Sequence, residues 1–506
     1  MTLRRMGRST AASAVPSHAA ERQFVVTAFM RSECKLFGAR GLRSSCLTAA
    51  GGRTGRVSMS GSLWMRSCVA TFLIAAVCLV GCERKTSSPR PDVRQGAADA
   101  GPPRGATSDS SGVAEAPHAS ANTADVDAAK KMAEQLGVNA KYAMRTGNVM
   151  TAVEITDGST LTPEYITLLG KLTDLRTLKI SNYRALNDEM VSQLTGLNQL
   201  TTLALANSVI GDASVELIAK SFPNLTELDL SSNTNLTNGV LKVICELKKL
   251  ERLHLMQNRF NDLGTSHLSK LEHLTVLDLR GNMEAGNMTL EVVGKLPKLA
   301  AFKHRSTAIT DFGMDYLAES KALNSLLMQD FAVTNQAGQA IAKLPSLKQL
   351  EIFRCQGFGT DGVLALKGMS LSRLKLRDLP TMDDRAMEVL ADLPELKRLE
   401  LHELSSVGDS GLASLASLKS LEALDIWSIP QMSDATVDVI AALPNLKELS
   451  IRSTGVTDAA IDKLLAMTAL KSLTFSENGS VTEDGLKKLK TGKWSKLNTG
   501  SSDAGE

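Results

Sequence analysis

Apolar residues recur along most of the chain in blocks 24 or 25 residues apart, clearest in Leu225, Leu228, Leu230, Asn233, Leu236 and then Val240 and Leu241. The first apolar position of each block falls at Met150, Leu175, Leu200, Leu225, Leu250, Leu274, Leu299, Leu323, Leu347, Leu371, Leu396, Leu421, Leu446 and Leu470, which makes fourteen units. Three and five residues later come further apolar residues, as in Leu178 and Ile180 or Leu424 and Ile426. That is the period-two alternation of a half-buried strand. His304 is the one break.

Ten or eleven residues after each start comes another apolar residue, such as Leu186, Ile210, Phe260 or Val456, followed by a polar pair such as Thr457 and Asp458. A short helix is expected to begin there. Thr162 and Pro163 suggest the register, because Pro suits the first helical position and Thr the cap before it. Thr310, Thr360, Ser433 and Thr457 are then caps, and Asp311, Asp361, Asp434 and Asp458 sit near the positive helix end. The recurring acid is assigned to capping rather than to a metal-binding ladder. A unit this short cannot bury its own apolar face, so the units must stack into one elongated body.

Over residues 150 to about 490 the pattern LxxLxLxxN/C followed by xL resembles leucine-rich repeats. The resemblance implies an α/β fold, a right-handed solenoid of about 14 rungs with a parallel sheet on the concave side and short helices on the convex side. The endings Thr310–Gly313 and Thr360–Gly362 are similar to those of bacterial repeat lipoproteins and of F-box substrate receptors. One departure stands out. Asn233, Asn258, Asn282 and Asn478 fit the Asn position and Cys355 its Cys variant, but Phe331, Leu379, Leu404 and Ile429 are apolar there. Either those loops bend differently or the solenoid is repacked locally.

Before the repeats the pattern changes. Residues 1–64 are rich in Arg, Ser, Ala and Gly and lack a sustained apolar period, as in a transit peptide, a disordered leader, or a stretch upstream of a true start at Met59 or Met65. Residues 65–81 read as a signal peptide, whose apolar run Cys68–Val80 is too short to span a bilayer as a stable helix. Its ending, Leu79, Val80, Gly81, Cys82, resembles the lipobox of bacterial lipoproteins, which implies that Cys82 is lipidated and anchors the chain to a membrane. Residues 82–124, rich in Pro, Gly, Ser and Ala, form an expected disordered tether with a mean reach of about 35 Å. Residues 125–149 should cap the stack with a helix from Asp125 to Leu136, stopped by Gly137. The solenoid is assigned to 150–494 and a disordered tail to 495–506.

Composition adds three constraints. Hydrophobic residues make up 43% of the 506-residue chain but aromatics only 4%, so the core must be aliphatic. The net charge of +3 comes from the leader: residues 1–81 hold 11 of the 57 basic and 2 of the 54 acidic residues, leaving 46 against 52, about −6, in 82–506. Nucleic acid is therefore not an expected partner. Of seven cysteines only Cys245 and Cys355 lie in the repeats, about four rungs apart at ~4.8 Å per rung, too far to bridge.

Candidate binding residues follow from the strand period, which puts the residues between the Leu positions on the open face. The column after the third apolar position runs Ser181, Ala206, Ser231, Met256 and then Arg280, Arg305, Gln329, Phe353, Arg377, His402, Trp427 and Arg452. Arg280, Arg305, Phe353, Arg377, His402, Trp427 and Arg452 give it the Arg and aromatic content of protein-binding hot spots. Lys303, Lys375, Glu351, Glu400 and Asp425 in the next column offer pairing partners, which would make the face self-satisfied instead. His402 and Glu403, as strand neighbours, should face opposite ways. His254 and His304 lie two rungs apart, too far for one metal without other ligands. No phosphate loop, CxxC pair or HExxH motif is present, so neither an enzyme, a cofactor nor a metal site is expected. The expected function is a membrane-anchored scaffold at the bacterial cell envelope, recognising protein or polysaccharide on its concave face. The alternatives are a cytosolic F-box-like substrate receptor and an envelope hydrolase.

Overall fold

A computed structural model describes residues 121–500. The leader, the signal segment, Cys82, nearly all of the tether and residues 501–506 lie outside the described residues. The first element is the helix Thr123–Leu136, which starts two residues before the expected Asp125. Asn122 sets that start, its side-chain oxygen accepting the Ala124 N–H. The helix buries Val126, Ala129 and Met132 and stops at Gly137, whose φ of 58° is cheap only without a Cβ.

Strand Ala140–Arg145 follows and pairs antiparallel with Val149–Ile155. The apolar period gave no sign of it, because every side chain in it from Lys141 on is exposed. The expected helical cap over 125–149 is thus a helix plus an edge strand. Every later strand pairs in parallel with the one before it, so sixteen strands form a single open sheet in chain order. Such an order packs each rung chiefly against its neighbours, and only long surface side chains such as Arg398 to Glu448 reach across two rungs. The last strand, Lys496–Asn498, pairs with Ser472–Ser476 and sets Leu497 beside Leu473. Disorder from residue 495 is therefore corrected: residues 496–498 extend the sheet.

The register aligns Leu326, Leu350, Leu374, Leu399 and Leu424 in one buried column. Ladders of this kind supply an aliphatic core one layer thick. His304 occupies a Leu position in it, fully buried, with Nδ1 3.0 Å from Leu279 O and Nε2 2.9 Å from Ala285 O. Burial pushes its imidazole down from the usual value. Cys245 and Cys355 are free and buried, and burial pushes their thiols up to about 11 and about 12.

After most strands, though not after Ala301–Arg305, the chain turns through a residue in the left-handed region. Asn182, Asn207, Ser232 and Gln257 do so in the early rungs, and Asp330, Arg354, Asp378, Glu403, Ser428, Ser453 and Glu477 in the later ones. The next residue is the Asn position. Asn258 donates to Leu230 O and Leu255 O and accepts from Asn233 N, and Asn233 and Asn282 make equivalent bonds. Phe331, Leu379, Leu404 and Ile429 are buried at the same place. Because the left-handed residue precedes both kinds, the turn keeps its conformation and the filling changes.

Opposite the sheet, short α and 3-10 helices begin at the expected polar pairs. Ser433 and Thr457 cap theirs, accepting from Ala435 N and Ala459 N. Thr310 stands at the cap but its hydroxyl meets Asn287 of the previous rung instead of its own helix, and Thr360 lies inside its helix, behind Gly359. The acids do more than complement a dipole. Asp262 accepts from Gly286 N, Thr289 N and Thr289 Oγ1, and Asp434 from Thr457 N and Oγ1, so each carboxylate ties its rung to the next. Among the described residues no helix is long and apolar enough to cross a membrane.

Candidate functional site

In-register pairing places Arg305, Gln329, Phe353, Arg377, His402, Trp427 and Arg452 side by side on the face away from the core. Arg280 lies beyond the end of strand Val276–Asp278, yet the backbone ladder runs on past it, since Gln257 N donates to Arg280 O and Gly281 N to Arg305 O. All eight residues thus share one column. They form two groups that meet at Arg377.

The first group lines a groove of about 550 Å³ whose walls include Arg280, Arg305, Gln329, Phe353, Lys375 and Arg377. The second is a ladder of rings and guanidinium planes. Arg377 stands 4.3 Å from the Phe353 ring centroid and 5.1 Å from that of Trp427, and Arg452, on the next rung, lies 5.4 Å from Trp427. The His402 ring meets Trp427 edge-on, with centroids 5.7 Å apart. Each cation–ring contact contributes about 0.5–2 kcal/mol depending on desolvation, so the ladder holds its side chains in place.

The cations are also paired with carboxylates. Arg280 bonds Asp278 at 2.8 Å, Arg305 bonds Asp330 at 2.6 Å, Arg377 bonds Glu403 at 3.0 Å and Arg452 bonds Asp425 at 3.3 Å. Of the acids expected to serve, only Asp425 does so. Glu351 takes Arg373, and Glu400 takes Arg373 and Lys375. Asp330 and Glu403 come instead from the left-handed turn column, at φ 59° and 54°. This corrects the expectation for His402 and Glu403: Glu403 lies past the strand end, and the turn returns its carboxylate to the face.

Electrostatics follow from these pairs. Burial pushes the Asp330 carboxyl up, but Arg354 and Arg305 outweigh it and hold it below the usual range. Burial likewise works against Glu400, and Lys375 and Arg373 override it. Asp425 is held lowest, at about 2, because His402, Ser450 and Arg452 outweigh its burial.

Sequence reasoning missed Asp330, Arg354, Arg373 and Glu403 as members of the face. A signal existed for the turn column: Asn182, Asn207, Asp330 and Asp378 recur there, and Asn and Asp are the side chains that best tolerate a left-handed backbone. No metal set was expected either, yet ligand atoms of Glu400, His402 and Asp425 lie within 4.8 Å of one another. His254 and His304 are not brought together, since His304 points into the core while His254 is only partly buried. On the helix side, Leu263, Met288 and Phe312 are exposed at the same position of three successive helices.

Comparison with known proteins adds a sequence match to this geometry. A family model described as a leucine-rich repeat matches residues 223–245, the rung from which the period was read. The fold is a leucine-rich repeat solenoid. No curated protein matches the chain in sequence. Among solved structures, an internalin from Listeria monocytogenes is similar at 19% identity, with 68% of this chain and 90% of that one covered and a TM-score of 0.44. The Rad7 and Elc1 complex of yeast gives 17% identity, 72% and 90% coverage and a TM-score of 0.49. The assignment rests on the sixteen-stranded sheet and the matched repeat rather than on these two likenesses. A leucine-rich repeat fold supports a protein-binding scaffold in general, because stacked rungs present a long continuous surface.

Proposed function

We propose that this leucine-rich repeat solenoid is a membrane-anchored binding scaffold of the bacterial cell envelope, held by a lipidated Cys82 and taking a protein or polysaccharide partner on its concave face between Arg280 and Arg452. It is a binding protein rather than an enzyme. The observation that carries the site is the ordered ladder Phe353, Arg377, Trp427, Arg452, in which each guanidinium plane stands over a ring and each cation is held by an acid. Side chains fixed before binding lose little rotamer freedom on binding, so contact area converts more fully into affinity. Trp and Arg are also the residues at which interface energy concentrates, at about 2 kcal/mol or more each. The lipobox-like ending Leu79–Cys82 supports the anchor.

Two experiments test the two halves of this reading. Immobilised protein is exposed to separated protein and glycan fractions of envelope extract, and capture is compared with that by the triple variant Arg377→Ala, Trp427→Ala, Arg452→Ala. The variant should lose capture while keeping its melting transition; unchanged capture sinks the site. Mass spectrometry of the mature N-terminus should show an acylated Cys82, and a chain that keeps residues 1–81 would overturn the anchor.

A further inference from the structure

Three ligand-bearing side chains converge on two neighbouring rungs of the face. Glu400 and His402 stand two residues apart on strand Arg398–His402, and Asp425, on strand Ala423–Trp427, is the register partner of Glu400. Period-two geometry puts all three on one side of the sheet, with neighbours about 4.8 Å apart across the strands and about 6.6 Å apart along one. Their nearest ligand atoms all lie within 4.8 Å of one another.

His402 is the second observation. Its side chain is 6% exposed, and Nδ1 and Nε2 are both buried without a hydrogen-bond partner among the described residues. Nε2 stands 3.1 Å from Asp425 Oδ2, within reach of an ion pair when the ring is protonated. A buried imidazole with neither nitrogen satisfied is costly, and native structures usually explain such groups by an ion or another partner. Two ligands of one tetrahedral ion, each ~2.1 Å from it, stand roughly 3.3 Å apart. The Nε2 to Oδ2 separation already has that size.

We propose that Glu400, His402 and Asp425 bind a divalent transition-metal ion of the zinc type. One imidazole and two carboxylates suit such an ion, whereas calcium takes six or more oxygen ligands and magnesium keeps most of its water. Three protein ligands also leave a fourth position for water or a group from a partner. The surroundings supply outer contacts that orient the ligands: Arg373 holds Glu400 Oε1 at 2.9 Å, and Arg452 holds Asp425 at 3.3 Å. Trp427 covers the His402 ring edge. Lys375, 3.3 Å from Glu400 Oε2, is the cation an incoming ion displaces, and Glu351 stands beside it in register to receive it.

This site does not depend on the partner assignment, because metal uptake and capture are separate readouts. Full chain freed of metal by chelation is titrated calorimetrically with zinc chloride and, separately, calcium chloride. One zinc site per chain is expected, weakened more than about tenfold in His402→Phe and in Asp425→Asn, since losing a direct ligand should cost at least as much as losing an outer one. Calcium should give no saturable heat. Circular dichroism establishes which variants are folded, and if His402→Phe is not, Asp425→Asn decides alone. No zinc binding by the parent chain, unchanged affinity in a folded variant, or calcium binding as tight as zinc overturns the site.

Discussion

Rungs around Asn233, Asn258 and Asn282 and rungs around Phe331, Leu379, Leu404 and Ile429 build the same turn from opposite chemistry. In the first, a buried amide binds two carbonyls and one N–H; in the second, an apolar side chain fills the place. The left-handed residue before it persists in both. What changes is the column of those residues. Early on it carries neutral contacts, Asn207 to Asn182 at 2.6 Å and Ser232 to Gln257 at 3.1 Å. Later it carries Asp330, Arg354 and Glu403, which pair with charged neighbours on the face. A repeating backbone thus fixes where side chains stand and leaves each half free to choose what they do.

The largest test of that contrast lies in the core. Asn258→Leu removes three buried hydrogen bonds; Leu230 O and Leu255 O keep donors from Asn233 and Asn282, but the buried Asn233 N–H loses its acceptor, so stability should fall by about 2–3 kcal/mol in urea unfolding. A cost under about 1 kcal/mol would mean that the two halves are interchangeable. On the helix side, Asp262→Ala should cost about 1–3 kcal/mol because four donors of the next rung lose it as an acceptor. Asp361→Ala should stay within about 0.5 kcal/mol, since that carboxylate is mostly exposed and meets only Arg385 at 3.5 Å. Equal effects would break the distinction between tying acids and surface acids.

The face itself answers to pH. Asp425 is depressed in the folded chain, so its contribution, on the order of 2 kcal/mol, is present above the ordinary carboxylate range and disappears as pH falls through about 2. The melting-temperature gap between the parent chain and Asp425→Asn should therefore be widest near neutrality and close towards pH 2. A gap independent of pH would remove the electrostatic account. The smallest effect is expected at Arg305→Ala, whose ion pair is 42% exposed on the Arg side and should contribute no more than about 1 kcal/mol to stability.

The repeat pattern was enough to place the fourteen repeating strands, the aliphatic core, most helix starts and the column that holds Arg280 to Arg452. Each of these repeats within one rung, and local period and local capping decide them. Tertiary structure alone decided what crosses between rungs. It made Asp262 and Asp434 ties between rungs, gave Arg305 and Arg377 their carboxylates, and brought Glu400, His402 and Asp425 together. It also hid His304 in a Leu column and added an edge strand at each end. The reason is physical: such contacts join residues some 25 positions apart, and their partners follow from register and from a left-handed turn that the apolar period does not record.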